Sequence, residues 1–112
     1  FDVGHLVLCT FISPFAEDRA RARHLIPDGN FLEIHVAAGL ETCRQRDPNG
    51  LYGKAMRGEI PEFTGISSPY EAPVSPEIIL DTERHGVQEL VEELLEELRN
   101  RGLLSPPGSP AP

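Results

Sequence analysis

The sequence predicts an α/β fold built on a parallel sheet, from three observations. Short, β-prone apolar runs recur at residues 5–10 (HLVLCT), 31–36 (FLEIHV) and 77–80 (EIIL). Helix-compatible segments lie between them, so the order reads β-α-β-α-loop-β-α. A strongly amphipathic stretch follows the last run. Strands that alternate with helices form parallel sheets joined by right-handed crossovers.

Each element has a local reason. Residues 5–10 suit a strand buried on both faces, and residues 1–4 would end a preceding helix with Gly4 near its C-cap. Ser13 and Pro14 mark a helix start, since serine accepts bonds from free N–H groups and proline at the first helical position loses none. Glu17 and Asp18 suit the helix dipole, and the helix should run to about Leu25 and stop before Pro27. Asp28, Gly29 and Asn30 then form a turn into the strand at residues 31–36. A short helix is expected over residues 39–46 (GLETCRQR), ended by Asp47 and Pro48, with another turn or two over residues 51–58.

Residues 46–73 are too rich in Gly and Pro for one helix and lack the alternation of a strand. A long irregular segment in a compact domain is a lid, a binding loop or disorder. The anchors Leu51, Tyr52, Ile60, Phe63, Ile66 and Tyr70 argue against disorder. After the strand at residues 77–80, Val87, Leu90, Val91, Leu94, Leu95 and Leu98 form one helical stripe, from about Val87 to Arg101, with Gly102 as its stop. A coiled-coil seam is the lesser reading, because only two heptads exist. Residues 105–112 (SPPGSPAP) read as a disordered tail, leaving one domain over residues 1–104.

Composition narrows the partners. The net charge of −8 repels nucleic-acid backbones and anionic membranes. The acid is local, concentrated over residues 83–97, whereas residues 19–24 are basic, so a small anion can still find a positive site. Cys9 and Cys43 show no CxxC spacing and read as two reduced thiols of a cytoplasmic protein. No apolar run approaches the ~18 residues of a membrane helix, and no signal peptide is visible. The chain opens at Phe1 in mid-element, and three strands make a poor doubly wound sheet, so leading strands are expected upstream.

In open α/β sheets, ligands bind beyond the C-terminal strand ends. Residues 10–18, 37–40 and 81–85 occupy that position. Arg19 and Arg23 lie four apart on one helix face and suit an anion. The alternative is a solvated basic face paired with Glu17 and Asp18. Ser13 has no histidine partner and reads as a cap rather than a nucleophile. His5, His24, His35 and His85 lack metal-ligand spacing. No G-x-x-x-x-G-K-[ST] phosphate loop occurs in the chain.

Three motifs together carry a resemblance. F-I-S-P-F-x-x-D-R at residues 11–19, R-D-P-x-G-L-Y at residues 46–52 and G-E-I-x-x-F-T-G-I-x-x-P-Y-E-A-P at residues 58–73 closely resemble adenylylsulfate kinase (APS kinase), in order and with the right gaps. The resemblance covers nearly the whole chain up to Leu104. It implies a three-layer P-loop-kinase-like fold, here partial, with the N-terminal strands and phosphate loop lying outside this sequence. It implies transfer of the ATP γ-phosphoryl group, with Mg²⁺, to the 3′-hydroxyl of adenosine 5′-phosphosulfate (APS), giving PAPS for sulfate assimilation. It also brings dimers, or fusion to a sulfurylase, as assembly states.

The resemblance assigns roles by position. Phe63 matches an aromatic stacked on the APS adenine, in a lid over about residues 46–76. Thr64 and Gly65 let the backbone approach the ligand. Ile12 and Ser13 match APS contacts, and Arg19 joins them on the substrate side. Ser13 is either a phosphoserine intermediate or a positioning residue; positioning is preferred, because phosphoryl transfer relies on placement and charge neutralisation. Lys54 sits in a basic lid helix. Arg46, Asp81 and Thr82 fall on the ATP side. Asn49, Gly53, Met56, Pro61, Glu62 and Ser67 depart from the family pattern and make the lid less positive, which implies weaker substrate binding or compensation by Arg57. Without a phosphate loop, the isolated chain is expected to be inactive. The competing expectation is a non-catalytic module that binds a nucleotide or a partner through its sheet edge and acidic helix.

Overall fold

The computed structural model describes residues 5–104. In chain order it contains α1 (Ala16–His24), β1 (Ile34–Ala37), α2 (Leu40–Arg46), α3 (Leu51–Met56), β2 (Ile78–Asp81) and α4 (Val87–Asn100). The helix end expected at residues 1–4 and the tail at residues 105–112 lie outside the described residues. β1 and β2 pair in parallel, with Ile34 opposite Ile78, His35 opposite Ile79, Val36 opposite Leu80 and Ala37 opposite Asp81. Parallel neighbours need a long crossover, which α2, α3 and the irregular segment supply. The α/β architecture with a parallel sheet is the one the sequence predicts.

The core is small. Ile78, Leu80 and Leu90 form a buried cluster, with Ile34 and Leu94 packed against it. Leu98 and Ala55 are also buried. The α4 stripe therefore meets the sheet through Leu90 and Leu94, while Val87 and Val91 at the start of the same stripe are 81% and 46% exposed. α4 ends where expected, with Gly102 at φ 75°, a left-handed stop that glycine adopts without penalty.

Three expectations need correction. Residues 5–10 form no strand: they pair with neither β1 nor β2, and Leu6, Val7 and Leu8 are exposed. An apolar, β-prone run specifies a strand only when a neighbour takes up its backbone groups. Ser13 does not cap α1. It adopts a left-handed φ of 44°, and Phe15 takes the N-cap position without a side-chain cap bond. The first helical N–H, that of Ala16, is satisfied from far along the chain by Glu71 Oε1 at 2.8 Å. Finally, the strands at 31–36 and 77–80 are shifted to Ile34–Ala37 and Ile78–Asp81. Their shared start is fixed by Glu77, whose carboxylate accepts the Glu33 N–H at 2.6 Å and an Arg23 guanidinium bond at 2.7 Å. Arg23 also lies 4.8 Å over the ring of Phe31, which precedes β1.

Leu90 is the α4 side chain that shares the buried cluster with Ile78 and Leu80 of β2. Leu90→Ala is expected to destabilise the chain by about 2–4 kcal/mol, read by urea unfolding. A loss below about 0.5 kcal/mol would show that α4 does not rest on β2.

Candidate functional site

Both strands end on the same side, and the next residues build a compact cluster there. Thr82 follows β2; its N–H and its hydroxyl both donate to Ala37 O at the end of β1, at 3.0 and 2.8 Å. Arg46, the last residue of α2, donates to Thr82 Oγ1 at 3.0 Å and to Thr82 O at 2.9 Å. Asp81 accepts the Glu83 N–H at 3.0 Å. Arg46, Asp81 and Thr82, singled out separately in the sequence, are thus one cluster. Glu83 closes it: its carboxylate accepts the Gly39 N–H at 2.9 Å and the Thr42 hydroxyl, tying β2 to the start of α2. The Thr42 hydroxyl, then the Gly39 amide, holds the Glu83 carboxyl below the usual glutamate range.

Within residues 46–76, short-range bonds order two turns. Asp47 accepts from the Tyr52 N–H at 2.9 Å and the Gly53 N–H at 3.1 Å, so its carboxylate caps α3. The Phe63 carbonyl accepts from the N–H groups of Ile66, Ser67 and Ser68, and Gly65 N–H donates back to Ser68 O at 2.7 Å. Ser67 Oγ accepts the Phe63 N–H at 2.8 Å. Phe63, Thr64 and Gly65 therefore share one tight turn. Gly65 has φ 87°, and an added Cβ there would lie 3.0 Å from Leu40 Cδ1. The Phe63 ring is half-buried and meets Tyr52 edge-on, with centroids 4.9 Å apart and planes at 75°. Burial, then the neighbouring Cys43, pushes the Tyr52 phenol up. Ile60 and Ile66 are half-buried anchors as expected, whereas Leu51 and Tyr70 are exposed. Lys54 is exposed on α3. Arg57, the expected compensating cation, is tied to Glu59 at 3.0 Å.

The third group gathers around Ser13. Ile12 and Ser13 are exposed. Arg19 donates to Ser13 O and to Glu71 O, both at 2.6 Å, and pairs with Glu33 at 3.2 Å. Arg23 is likewise taken by Glu77. Neither arginine pairs with Glu17 or Asp18; Arg21 does, at 3.7 and 3.3 Å. Arg19 and Arg23 line a groove of about 400 Å³ together with Glu33 and Glu77, so its positive charge is largely offset. Among the described residues, no hydrogen bond joins the Phe63 turn to Ser13; Arg19 links Ser13 to Glu71, three residues beyond that turn.

Asp47, Glu71, Glu77 and Glu83 are the residues that sequence reasoning missed. Asp47 and Glu71 stand inside the quoted motifs, but Asp47 lies three residues before Gly50, the N-cap of α3, so local spacing does not mark it as a cap. The partners of Glu71, Glu77 and Glu83 lie 41 to 55 residues away, beyond any local pattern.

Arg23, helped by the Glu33 amide, holds the Glu77 carboxyl below the usual glutamate range against the opposing effect of burial. A depressed folded value means stability is gained above the unfolded value, about pH 4.3, and lost as pH falls through the folded one. Glu77→Gln is therefore expected to flatten the acid limb of stability against pH, measured by urea unfolding between pH 7 and about pH 3. Equal limbs in both proteins would show that the Arg23–Glu77 pair is not ionic in the folded chain.

A family model described as adenylylsulphate kinase matches residues 1–81. The probable adenylyl-sulfate kinase of Halalkalibacterium halodurans is 56% identical over 93 residues, covering 83% of this chain and 46% of the relative. The adenylyl-sulfate kinase of Acaryochloris marina is 50% identical over 105 residues, covering 94% and 51%. The structure of the Mycobacterium tuberculosis APS kinase CysC in complex with AMPPNP and APS superposes with a TM-score of 0.81 at 44% identity, covering 88% of this chain and 57% of that one. The chain spans about half the length of the curated relatives it matches. On the family match and these identities, the chain belongs to the adenylylsulphate kinase family.

Proposed function

We propose that this chain supplies the substrate lid and the strand-end cluster of an adenylylsulfate kinase. In that reaction the 3′-hydroxyl oxygen of APS attacks the γ-phosphorus of ATP. The bond to the β,γ-bridging oxygen breaks, ADP leaves, and PAPS forms as the hydroxyl proton is lost. The observation that carries the reading is the turn over residues 63–68, which presents a half-buried aromatic ring beside backbone that only glycine allows to approach closely.

Phe63 stacks on the adenine of APS, with Tyr52 bracing its edge. Thr64 and Gly65 offer backbone to the ligand, and Ile12 and Ser13 contact APS from the other side. Lys54 brings positive charge to the lid. Arg19 serves this side as framework, because its bonds go to Ser13, Glu71 and Glu33. Arg46, Asp81 and Thr82 border the ATP base. ATP and APS are the small-molecule partners, with Mg²⁺ as the metal of the reaction. Mg²⁺ in such sites is held through one or two carboxylates together with waters and the substrate phosphates; among the described residues no group of three or more His, Cys, Asp or Glu side chains comes together.

The 112 residues hold no phosphate-cradling loop, so by themselves they are not expected to form PAPS. An assay of the purified chain with ATP, Mg²⁺ and APS checks this; steady turnover would refute it. In a chain that binds APS, Phe63→Ala is expected to weaken binding about tenfold to a hundredfold, with Phe63→Tyr near the parent. Unchanged affinity in Phe63→Ala, measured by calorimetry, would remove the stacking role.

A further inference from the structure

Ser13 is a non-glycine residue held in left-handed backbone, φ 44°, immediately before a proline. Such a conformation persists only where the surroundings over-determine it. Two bonds bracket it. Arg19 donates to Ser13 O at 2.6 Å, and the Glu71 N–H donates to Pro14 O at 2.7 Å. Two more bonds cross to the same pair of residues. Arg19 donates to Glu71 O at 2.6 Å, and the Ala16 N–H donates to Glu71 Oε1 at 2.8 Å. Glu71 thus engages the Ser13 corner through its amide, its carbonyl and its carboxylate. It stands at the end of the lid, three residues beyond the last bond of the Phe63 turn.

We propose that Glu71 is a positioning residue, a latch that holds the lid turn and the Ser13 corner in one register. It touches no reacting atom. It acts through the Ala16 and Pro14 backbone on one side and through the short link from Ser68 to Glu71 on the other. The proposal rests on the APS-side reading of Phe63 and Ser13 only for what the latch serves; the latch itself is a property of the chain.

Amide hydrogen exchange on the complete 112-residue chain tests it without ligand. Glu71→Ala should raise exchange about tenfold at Ala16 and over residues 63–68, the scale expected when a charge-assisted bond is lost from a locally opening segment. Glu71→Gln should restore both, because its amide oxygen still accepts the Ala16 N–H. Arg19→Lys, which keeps the charge but lacks the planar fork that reaches Glu33, Ser13 O and Glu71 O at once, should loosen the same two segments. In all three variants β1, β2 and α4 should exchange at the parent rate. Release of Ala16 alone, with residues 63–68 unchanged, would overturn the proposal. So would acceleration spread evenly through α4, the mark of a general stability loss. A separate titration of the parent with APS judges the substrate reading: no shift at Phe63 or Ser13 would count against that reading, while the exchange pattern decides the latch.

Discussion

The register of the β1–β2 pair governs where everything else lies. A slip of one residue would turn Ile78 and Leu80 away from α4 and bring Ile79 inward, exchanging the core for solvent. With five buried apolar side chains among the described residues, hydrophobic contact alone is a weak guarantee against such a slip. Two glutamates add the specificity. Glu77 pins the start of the pair by accepting from Glu33 and Arg23, and Glu83 pins the end by accepting from Gly39 and Thr42. Between them the ladder has one alignment that leaves no carboxylate without its donors.

The same device recurs around the irregular segment between α2 and β2. Asp47 caps α3 and Glu71 reaches the start of α1, so each long connection is fastened by a carboxylate that accepts backbone N–H groups. The arginines answer in kind. Arg19, Arg23 and Arg46 each bond to residues distant in sequence, so the cationic side chains that look free in the sequence are part of the frame. A net charge of −8 thus coexists with a chain in which several acidic residues are structural acceptors.

How far the sequence could be read follows from the range of each interaction. α4 was legible because its stripe repeats over three turns and Gly102 marks its end. The short helices were legible to within a few residues, since Gly, Pro and Asp stand at their ends, whereas the strand starts shifted because Glu77 fixes them through Glu33 and Arg23. Residues 5–10 were misread because a β-prone run says nothing about who pairs with it. The Ser13 cap was misread because a distant carboxylate satisfied the helix start before the local hydroxyl did. At the candidate site, the motifs contain Phe63, Thr64, Gly65 and Arg46, whereas Asp81 and Thr82 lie outside them and were singled out only by their place after the last strand. The motifs gave no hint that Arg19 faces inward, since burial of a guanidinium between two carbonyls and a glutamate is settled by contacts across 52 residues.

The exposed run at residues 6–12 has a practical consequence. Leu8, Phe11 and Ile12 are 71%, 83% and 69% exposed, on backbone that belongs to neither strand. Val36 and Ile79 add apolar surface on the sheet. Unpaired β-prone backbone carrying such side chains is a template for strands from other molecules.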